Sequence, residues 1–173
     1  MNKHSEDITL VEMGENMSNT GINENLDEID FQIIDLVQED SRLSYNKIAG
    51  KLGISVGTAY NRIKNLEEKG VLKGYTSLID AVKVGYTLTA LILIQADGKH
   101  LLDVETEIAK IGNVISVYDI TGDFDIAVVA RFRDRDGLNQ FIKNLLGVPY
   151  VRRTVTNVVL NVVKEDFRIK TRH

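Results

Sequence analysis

The segment Thr121-Gly122-Asp123-Phe124-Asp125 carries side chains suited to holding a small zwitterion. Asp123 and Asp125 supply two carboxylates, and their i, i+2 spacing puts both on one side of an extended segment. The Gly122-Asp123 turn supplies backbone N–H groups. An amino acid presents an ammonium and a carboxylate, so its recognition needs fixed acceptors and donors at a partly dry interface. An alternative stays open, in which Asp125 caps a hairpin and Gly122 is a turn glycine.

A second group of polar side chains follows Ser55, on a segment whose buried face is predicted to hold Ala59, Ile63 and Leu66. Asn can pair with an adenine edge and Arg with guanine or a phosphate, while a glycine leaves room for close backbone approach. The candidate contacts to double-stranded DNA are therefore Gly57, Thr58, Tyr60, Asn61, Arg62 and Lys64. Three more residues lie at predicted helix ends, where phosphates are commonly held: Ser44, Lys51 and Ser55. The alternative is a helical bundle used for protein contacts.

Residue types needed for catalysis or metal binding are scarce. The chain has no Cys, which excludes a disulfide framework, cysteine catalysis and Cys-based metal sites. His4, His100 and His173 are scattered, and no acidic residue places them in a triad or a ligand spacing. Arg152-Arg153 could meet phosphate, although a charge pair at a sheet edge is the commoner explanation. We expect no enzyme, no cofactor and no metal.

The net charge of −4 is unevenly distributed along the chain. Residues 1–30 hold one basic and eight acidic residues, a net charge of −7. Residues 41–75 hold seven basic and two acidic residues, a net charge of +5. A short basic segment on an acidic chain is typical of a local electrostatic footprint for nucleic acid, although a solvated helical surface has the same composition.

Helical periodicity dominates the first part of the chain. We expect a mobile acidic arm over 1–24, with at most a helical turn at Ile8–Met13. Apolar residues then recur every three or four positions from Leu26, which predicts a helix capped by Asp27 and ending at Asp40–Ser41. A second short helix runs from Ser44 to Gly53, and a third from Ser55 to Gly70. This order predicts a helix-turn-helix domain over 25–74, followed by a connecting strand or linker over 75–87.

The remainder, 88–173, alternates strands and helices. Strands are predicted over 88–96, 114–121, 126–133 and 154–163, with helices over 101–111 and 136–146. The order β-α-β-β-α-β is that of the ferredoxin-like sandwich, so the whole chain is expected to be α+β.

The predicted sheet is apolar on both faces. The two helices of a ferredoxin-like domain cover one face, yet Leu91 and Leu93 oppose Ala90, Ile92 and Ile94 on the first strand. A second cover is therefore needed, and another copy of the chain is the simplest one. We expect a homodimer. The alternative is that the linker or the N-terminal arm covers this face.

The segment 25–79 resembles the DNA-binding half of the Lrp/AsnC family of transcription regulators. The matching residues are Leu26-Asp27, Asp30, Ile34, Leu36, Ile48-Ala49, Leu52-Gly53-Ile54-Ser55, Arg62-Ile63, Leu66-Glu67, Gly70-Val71-Leu72 and Gly74-Tyr75. The βαββαβ segment with residues 121–125 resembles that family's amino-acid-sensing domain, and the whole match covers residues 25–164. The acidic extension of some two dozen residues is longer than the family usually shows.

The resemblance implies a winged-helix-like DNA-binding domain and dimers that gather into rings, most often octamers. It also implies an effector cleft between dimers, bordered by the turn and the last strand. Gly122, Asp123 and Asp125 match the turn, and Thr154 and Thr156 are the last-strand positions added to it. The expected function is a transcription regulator of amino-acid metabolism or transport, tuned by a small amino acid.

The alternative function is a stand-alone amino-acid sensor or an enzyme, with the helical unit as a protein-interaction module.

No apolar run approaches the length of a membrane span, about 20 residues. The N-terminus lacks the basic-then-apolar pattern of a signal peptide, so we expect a soluble cytoplasmic protein with no membrane partner.

Overall fold

The computed structural model describes residues 26–171 of the chain. The arm over 1–24, with its expected turn at Ile8–Met13, lies outside these residues. The described chain divides into two compact units. Residues 26–76 together with 167–171 form the helical unit, and residues 77–166 form the sheet unit. No helix of the described part is long and apolar enough to cross a bilayer.

Three helices form the helical unit: α1 (Glu28–Glu39), α2 (Tyr45–Leu52) and α3 (Val56–Glu68). Each begins after a residue whose side chain accepts a hydrogen bond from the third residue on, namely Asp27, Ser44 and Ser55. Gly53 ends α2 with a φ of 67°, a conformation that favours glycine. The predicted helix starts are confirmed because capping is local chemistry that the sequence displays directly.

The core of the helical unit is one apolar cluster between the three helices. Its buried members are Ile33, Ile34, Val37, Ile48, Ala49, Ala59, Ile63 and Leu66. Asp30, 5% exposed, is buried beside them, and it is the one polar residue buried within residues 26–171.

Residues 71–87 differ from the expected connecting strand. All of them are described, and none lies in a strand. A turn at 81–85 is closed by hydrogen bonds from the Gly85 and Tyr86 amides to the Val82 and Ala81 carbonyls, at 3.0 and 2.8 Å. Leu78 and Ile79 are largely exposed. An extended segment becomes a strand only when a neighbouring strand satisfies its backbone groups, and this segment has no such neighbour within the described chain.

The sheet unit has the predicted β-α-β-β-α-β order. Its strands are β1 (Leu88–Ala96), β2 (Val114–Asp119), β3 (Ile126–Phe132) and β4 (Val151–Val158), and its helices are α4 (Leu101–Ala109) and α5 (Arg135–Leu146). A 3₁₀ turn over Gly98–His100 precedes α4. The four strands form one antiparallel sheet in the order β2-β3-β1-β4. The α+β fold class, with an N-terminal helix-turn-helix domain, is confirmed.

One face of the sheet is buried under α4 and α5. Ala90, Ile92 and Ile94 of β1 lie there, packed with Val104, Ile108, Phe141 and Leu145 of the helices. The opposite face, which we call the open face, carries Leu91, Leu93, Val129, Val155 and Tyr118, as the strand register requires. Leu91 is 38% exposed and Tyr118 is also exposed, so the open face is apolar and incompletely covered.

The last strand lies earlier in the sequence than predicted. It was expected over 154–163, but β4 spans Val151–Val158. Val158 pairs with Ala90, and the amide of Val159 donates to the carbonyl of Thr89 at 2.9 Å, one residue after β1 begins. The chain beyond therefore runs past the end of its pairing partner, and Leu160 and Val163 are almost fully exposed.

The C-terminal segment 167–171 belongs to the helical unit rather than to the sheet unit with which it was expected. The Gln38 side chain bonds both backbone groups of Ile169, donating to its carbonyl at 3.0 Å and accepting from its amide at 2.8 Å. The Thr171 hydroxyl donates to Asp35. Polar contacts with α1 thus hold a segment whose apolar side chains, Phe167 and Ile169, are exposed.

Candidate nucleic-acid interface and ligand site

The N-terminal half of α3 presents a polar surface above its buried stripe. Ala59, Ile63 and Leu66 are buried in the helical unit, so the positions between them face outward. The exposed candidates on α3 are Gly57, Thr58, Tyr60, Asn61 and Lys64. The structure therefore brings together the α3 residues selected from the sequence, with the exception of Arg62.

The serine hydroxyls at the two helix starts are used as caps. Ser55 Oγ accepts from the Thr58 amide at 3.0 Å and lies 2.8 Å from the Thr58 hydroxyl. Ser44 Oγ lies 3.4 Å from the Lys47 amide that it caps. These contacts fix where α2 and α3 begin, and the first turns of both helices lie at the positive ends of the helix dipoles.

Gly57 lies in the first turn of α3, and its outer side is open. A Cβ added there would meet only Ser55 Oγ, at 3.9 Å. Packing within the helical unit therefore does not require a glycine at this position, and an alanine would be the better helix former. The open space is what close approach of a DNA backbone would need.

Arg62 points away from this surface and toward the start of α1. Its Nη1 lies 2.8 Å from Asp27 Oδ1 and 2.8 Å from Asp30 Oδ1, and its side chain is 28% exposed. These hydrogen bonds, first to Asp30 and then to Asp27, raise the pKa of the guanidinium further above its usual value. Arg62 was selected as a DNA contact from its side of the helix, but its charge is already engaged within the protein.

The two lysines among the candidates have different surroundings. Lys64 is exposed on α3 and forms a 3.7 Å ion pair with Glu68, one turn along the helix. Lys51 lines a concavity of about 520 Å³ with the polar side of α1, including Asp35 and Glu39. Lys51 is exposed and shares this concavity with two acidic residues.

Aromatic residues that sequence reasoning had not connected lie beside the α3 surface. Tyr45, at the start of α2, packs edge-to-face on Tyr60 with ring centroids 5.3 Å apart. The Tyr75 hydroxyl donates to Glu67 Oε1 at 2.8 Å, and burial together with this carboxylate raises the pKa of Tyr75 to about 12. In the sequence Tyr45 directly follows Ser44 and Tyr60 lies five residues after Ser55, and no spacing links the two rings.

The turn over 121–125, which we call the acidic turn, lies at one end of the sheet. Gly122 has a φ of 121°, which an L side chain rarely adopts, so the turn requires a glycine there. The Asp125 amide donates to the Ile94 carbonyl at 3.0 Å, and Asp125 Oδ2 accepts from the Ala96 amide at 2.9 Å. Asp123 is exposed and makes no contact of this kind with the described residues. Of the two carboxylates, Asp125 thus holds the turn onto β1 and Asp123 faces solvent.

Thr154 and Thr156 flank β1 on the side opposite the turn. They pair with Ile94 and Ile92, on the helix-covered face of the sheet, and both are half-buried. Since Asp125 also bonds Ile94, the turn and Thr154 lie on either side of one residue, roughly 10 Å apart across two strand spacings. β1 therefore separates the turn from Thr154.

Further charged and aromatic groups gather at the same end of the sheet. The Arg153 guanidinium lies 5.7 Å from the ring centroid of Phe124 in the acidic turn. Arg152 forms a 2.8 Å ion pair with Asp97. The two arginines noted in the sequence therefore have different partners. Arg152 pairs with Asp97, whereas Arg153 lies beside the acidic turn, to which the sequence analysis did not assign it.

No group of three or more His, Cys, Asp or Glu side chains that could hold a metal occurs among residues 26–171. His100 instead stacks on Tyr150, with ring centroids 3.7 Å apart, and its Nδ1 lies 3.2 Å from Asp103. Neither His4 nor His173 lies in the described range.

Two family models match the chain and together cover most of it. Residues 26–73 match a winged helix-turn-helix DNA-binding domain, and residues 89–169 match the Lrp/AsnC ligand binding domain. These matches coincide with the two regions in which the structure places the candidate contacts.

Among similar proteins, an uncharacterised HTH-type transcriptional regulator of Pyrococcus abyssi is 49% identical over 145 residues, 84% of this chain and 99% of that protein. The HTH-type transcriptional regulator FL11 of Pyrococcus horikoshii is 35% identical over 140 residues, 81% of this chain and 93% of its own. A solved transcriptional regulator of Neisseria meningitidis in complex with L-Met is 25% identical, with a TM-score of 0.77, covering 84% and 96% of the two chains.

These relatives are transcription regulators and not enzymes, which excludes the enzymatic alternative. The chain is a DNA-binding member of the Lrp/AsnC family of transcription regulators, with a helix-turn-helix domain and a ligand-binding domain.

Proposed function

We propose that α3 enters the major groove and reads base edges through its exposed N-terminal half. The observation that carries this proposal is the outward array of Thr58, Asn61 and Lys64 above a fully buried stripe. Asn61 has the amide needed for an adenine edge, Lys64 a charge for phosphate, and Gly57 the open space for backbone approach. The first turn of α2, after Ser44, supplies amides for a phosphate. Lys51 stays a candidate phosphate contact at the end of α2, whereas Arg62 is held by Asp27 and Asp30 and contributes little.

Selection of genomic fragments by the purified protein, followed by fluorescence anisotropy against salt concentration, tests this proposal. Asn61→Ala is expected to cost about 1–3 kcal/mol of discrimination at one base position. Lys64→Gln is expected to weaken binding to all sequences and reduce the salt slope by about one phosphate contact. Lys143→Gln, which removes an exposed lysine from α5 of the sheet unit, is the control. If the wild-type protein and Asn61→Ala both bind all DNA fragments equally well, α3 does not read bases.

We infer that a small amino acid binds at the end of the sheet beside the acidic turn and tunes the grip on DNA. Asp123 is placed to accept hydrogen bonds from its ammonium, and the amides of the turn or Arg153 to meet its carboxylate. Thr154 and Thr156, across β1 from the turn and on the helix-covered face of the sheet, stay candidates from the family resemblance alone. The Neisseria relative solved with L-Met supports an amino acid as the ligand class.

A thermal-shift screen with the twenty amino acids tests the ligand. The effector is expected to raise the melting temperature of the wild-type protein, because a ligand that binds only the folded state stabilises it. Asp123→Asn should abolish that rise and leave the ligand-free melting temperature unchanged. Asp125→Asn should lower the ligand-free melting temperature, since its carboxylate bonds β1. If the effector raises the melting temperature of Asp123→Asn as much as that of the wild type, the Asp123 carboxylate is not part of the ligand site.

The same proposal extends to assembly, gene targets and location. The open face of the sheet is suited to a homodimer, and the family resemblance points to octameric rings in which a ligand shifts the arrangement of dimers. The genes controlled would serve amino-acid metabolism or transport, in the cytoplasm. Genome-wide DNA binding with and without the stabilising amino acid identifies the target operons, and targets unrelated to amino acids would overturn this part.

A further inference from the structure

The carboxylates that receive Arg62 are fixed in place by α1 itself. The Asp30 amide donates to Asp27 Oδ1 at 3.0 Å, and the Asp27 amide donates to Asp30 Oδ2 at 3.1 Å, a reciprocal capping box. Both acids lie at the N-terminus of α1, where the helix dipole favours negative charge. Arg62 therefore meets a rigid acceptor whose position is set by the first turn of α1.

The contact adds a directional constraint that the apolar core of the helical unit lacks. Ala59, Ile63 and Leu66 bury α3 against α1 and α2, but hydrophobic contact is non-directional and tolerates small rotations. A guanidinium held at 2.8 Å from two fixed carboxylates permits far less movement. Since the side-chain surface of a helix lies about 5–6 Å from its axis, a rotation of roughly 20° displaces that surface by about 2 Å. Such a displacement is enough to break a hydrogen bond to a base.

We propose that Arg62 is a positioning residue: it holds α3 on the capping box of α1, so that Asn61 and its neighbours meet DNA in the correct orientation, and it makes no DNA contact itself. Asp30 is the other half of this device, since its carboxylate is almost completely buried and accepts from Arg62. The inference rests on DNA binding through α3, as proposed above.

Asp30→Asn tests the inference, because a simple charge effect and a loss of positioning change DNA affinity in opposite directions. Removing an acidic residue from a DNA-binding unit should strengthen binding if only charge matters. Loss of positioning should weaken it, and we expect roughly tenfold weaker binding to the selected fragment. Arg62→Gln should weaken binding to a similar extent with the salt slope unchanged, because no phosphate contact is lost. The double variant should bind no worse than either single variant, since both lose the same interaction.

Lys64→Gln is the matched control on the same helix, and it is expected to reduce the salt slope. Circular dichroism and thermal melting of each variant establish that binding is measured on folded protein. If Arg62→Gln does not fold, Asp27→Asn removes one of the two carboxylates from the more exposed side and carries the same prediction in milder form.

Binding by Asp30→Asn that is as tight as wild type, or tighter, overturns the inference. The inference is also overturned if Arg62→Gln reduces the salt slope by about one while Asp30→Asn keeps its DNA affinity. Arg62 would then be a phosphate contact. A wild-type protein that binds no DNA removes the proposed function as well, which distinguishes the two failures.

Discussion

At the scale of single residues, Gly57 separates what the fold requires from what DNA binding would require. Its surroundings leave room for a methyl group, and it lies within the first turn of α3. Gly57→Ala is expected to raise the free energy of unfolding by up to about 1 kcal/mol, because alanine is the better helix former. The same methyl group is expected to weaken DNA binding. Denaturant unfolding and anisotropy measure the two effects.

Gly50→Ala is the control for Gly57→Ala. A Cβ at Gly50, in α2, also meets nothing within 4 Å. It should stabilise the protein by a similar amount without the loss of DNA affinity. Unchanged affinity in Gly57→Ala would mean that no DNA backbone approaches this position.

The carboxyl group of Asp27 makes the stability of the helical unit depend on pH in the acidic range. The Asp30 amide, and after it Arg62, hold the pKa of this carboxyl below its ordinary value of 3.8. Its contribution to stability is therefore complete above about pH 4 and is lost as the pH falls through the lower, folded-state pKa. Asn caps helices as well as Asp does, so Asp27→Asn removes the charge and keeps the cap. The stability gap between wild type and variant should shrink as unfolding is measured from pH 6 down to about pH 2.5. A constant gap would contradict this account.

Residue types predicted the roles that depend on local chemistry and missed those that depend on distant partners. Asp27, Ser44 and Ser55 were recognised as caps because a cap bonds an amide three residues on. The Arg62 contacts join residues 32 and 35 positions apart, and no sequence period reports such a distance. The acidic turn was found from its glycine and carboxylates, but the bond from Asp125 to the Ala96 amide needed the strand order.

At the scale of elements, the contact between α4 and β2 contains a carboxyl group in an unfavourable place. Glu105, Thr106 and Ala109 of α4 line a concavity of about 260 Å³ with Val117 and Asp119 of β2. Glu105 Oε1 is buried and has no hydrogen-bond partner within the described residues. Burial, and secondarily the nearby Asp119 carboxylate, raise the pKa of Glu105 above its usual 4.5.

Glu105→Gln is therefore expected to stabilise the protein at neutral pH. The folded state binds the Glu105 proton more tightly than the unfolded chain, so wild-type stability declines as the pH rises from about 4.5 through the folded-state pKa. A neutral amide avoids that decline, and a gain of roughly 1 kcal/mol at pH 7 is reasonable for removing an unpaired buried charge. Chemical unfolding at pH 4 and pH 7 measures the gain, which should be smaller at pH 4.

Glu107→Gln, on the same helix, is the control for this prediction. Glu107 is exposed and bonds Lys110 at 2.6 Å, so its substitution should be neutral or slightly destabilising at pH 7. Equal effects of the two substitutions would contradict a specific cost at Glu105.

Element boundaries depended on pairing rather than on composition. Alternating apolar residues continue from Thr154 to Val163, which is why the sequence predicted a strand throughout. The observed strand stops at Val158 because β1, its partner, begins at Leu88. The segment 75–87 was likewise expected to contain a strand, but no described strand pairs with it. Periodicity identifies the side chains that can face a core, and the partner decides how far a strand extends.

At the scale of the whole molecule, the exposed apolar side chains of the open face favour the proposed assembly. Leu91 is flanked in register by Val129 and Asn157, and Leu93 by Ala127 and Val155, so apolar side chains continue across three strands. Glu165 bonds Arg131, which places the chain after β4 near one side of this face, yet Leu91 stays 38% exposed. An apolar surface of this kind commonly marks an interface between proteins, and a second copy offers a surface of matching character.

Leu91→Lys is expected to convert the proposed dimer to a monomer, because the interface would have to bury an unpaired ammonium in each copy, at a cost of several kcal/mol. Size-exclusion chromatography with light scattering measures the mass against concentration. Leu102→Lys is the matched control, since Leu102 is an exposed leucine on α4, the helix covering the opposite face. A monomer is also expected to bind DNA more weakly, because two linked helix-turn-helix domains raise the effective concentration of the second contact. An unchanged mass in Leu91→Lys would assign dimerisation to another surface and leave the open face without a role in assembly.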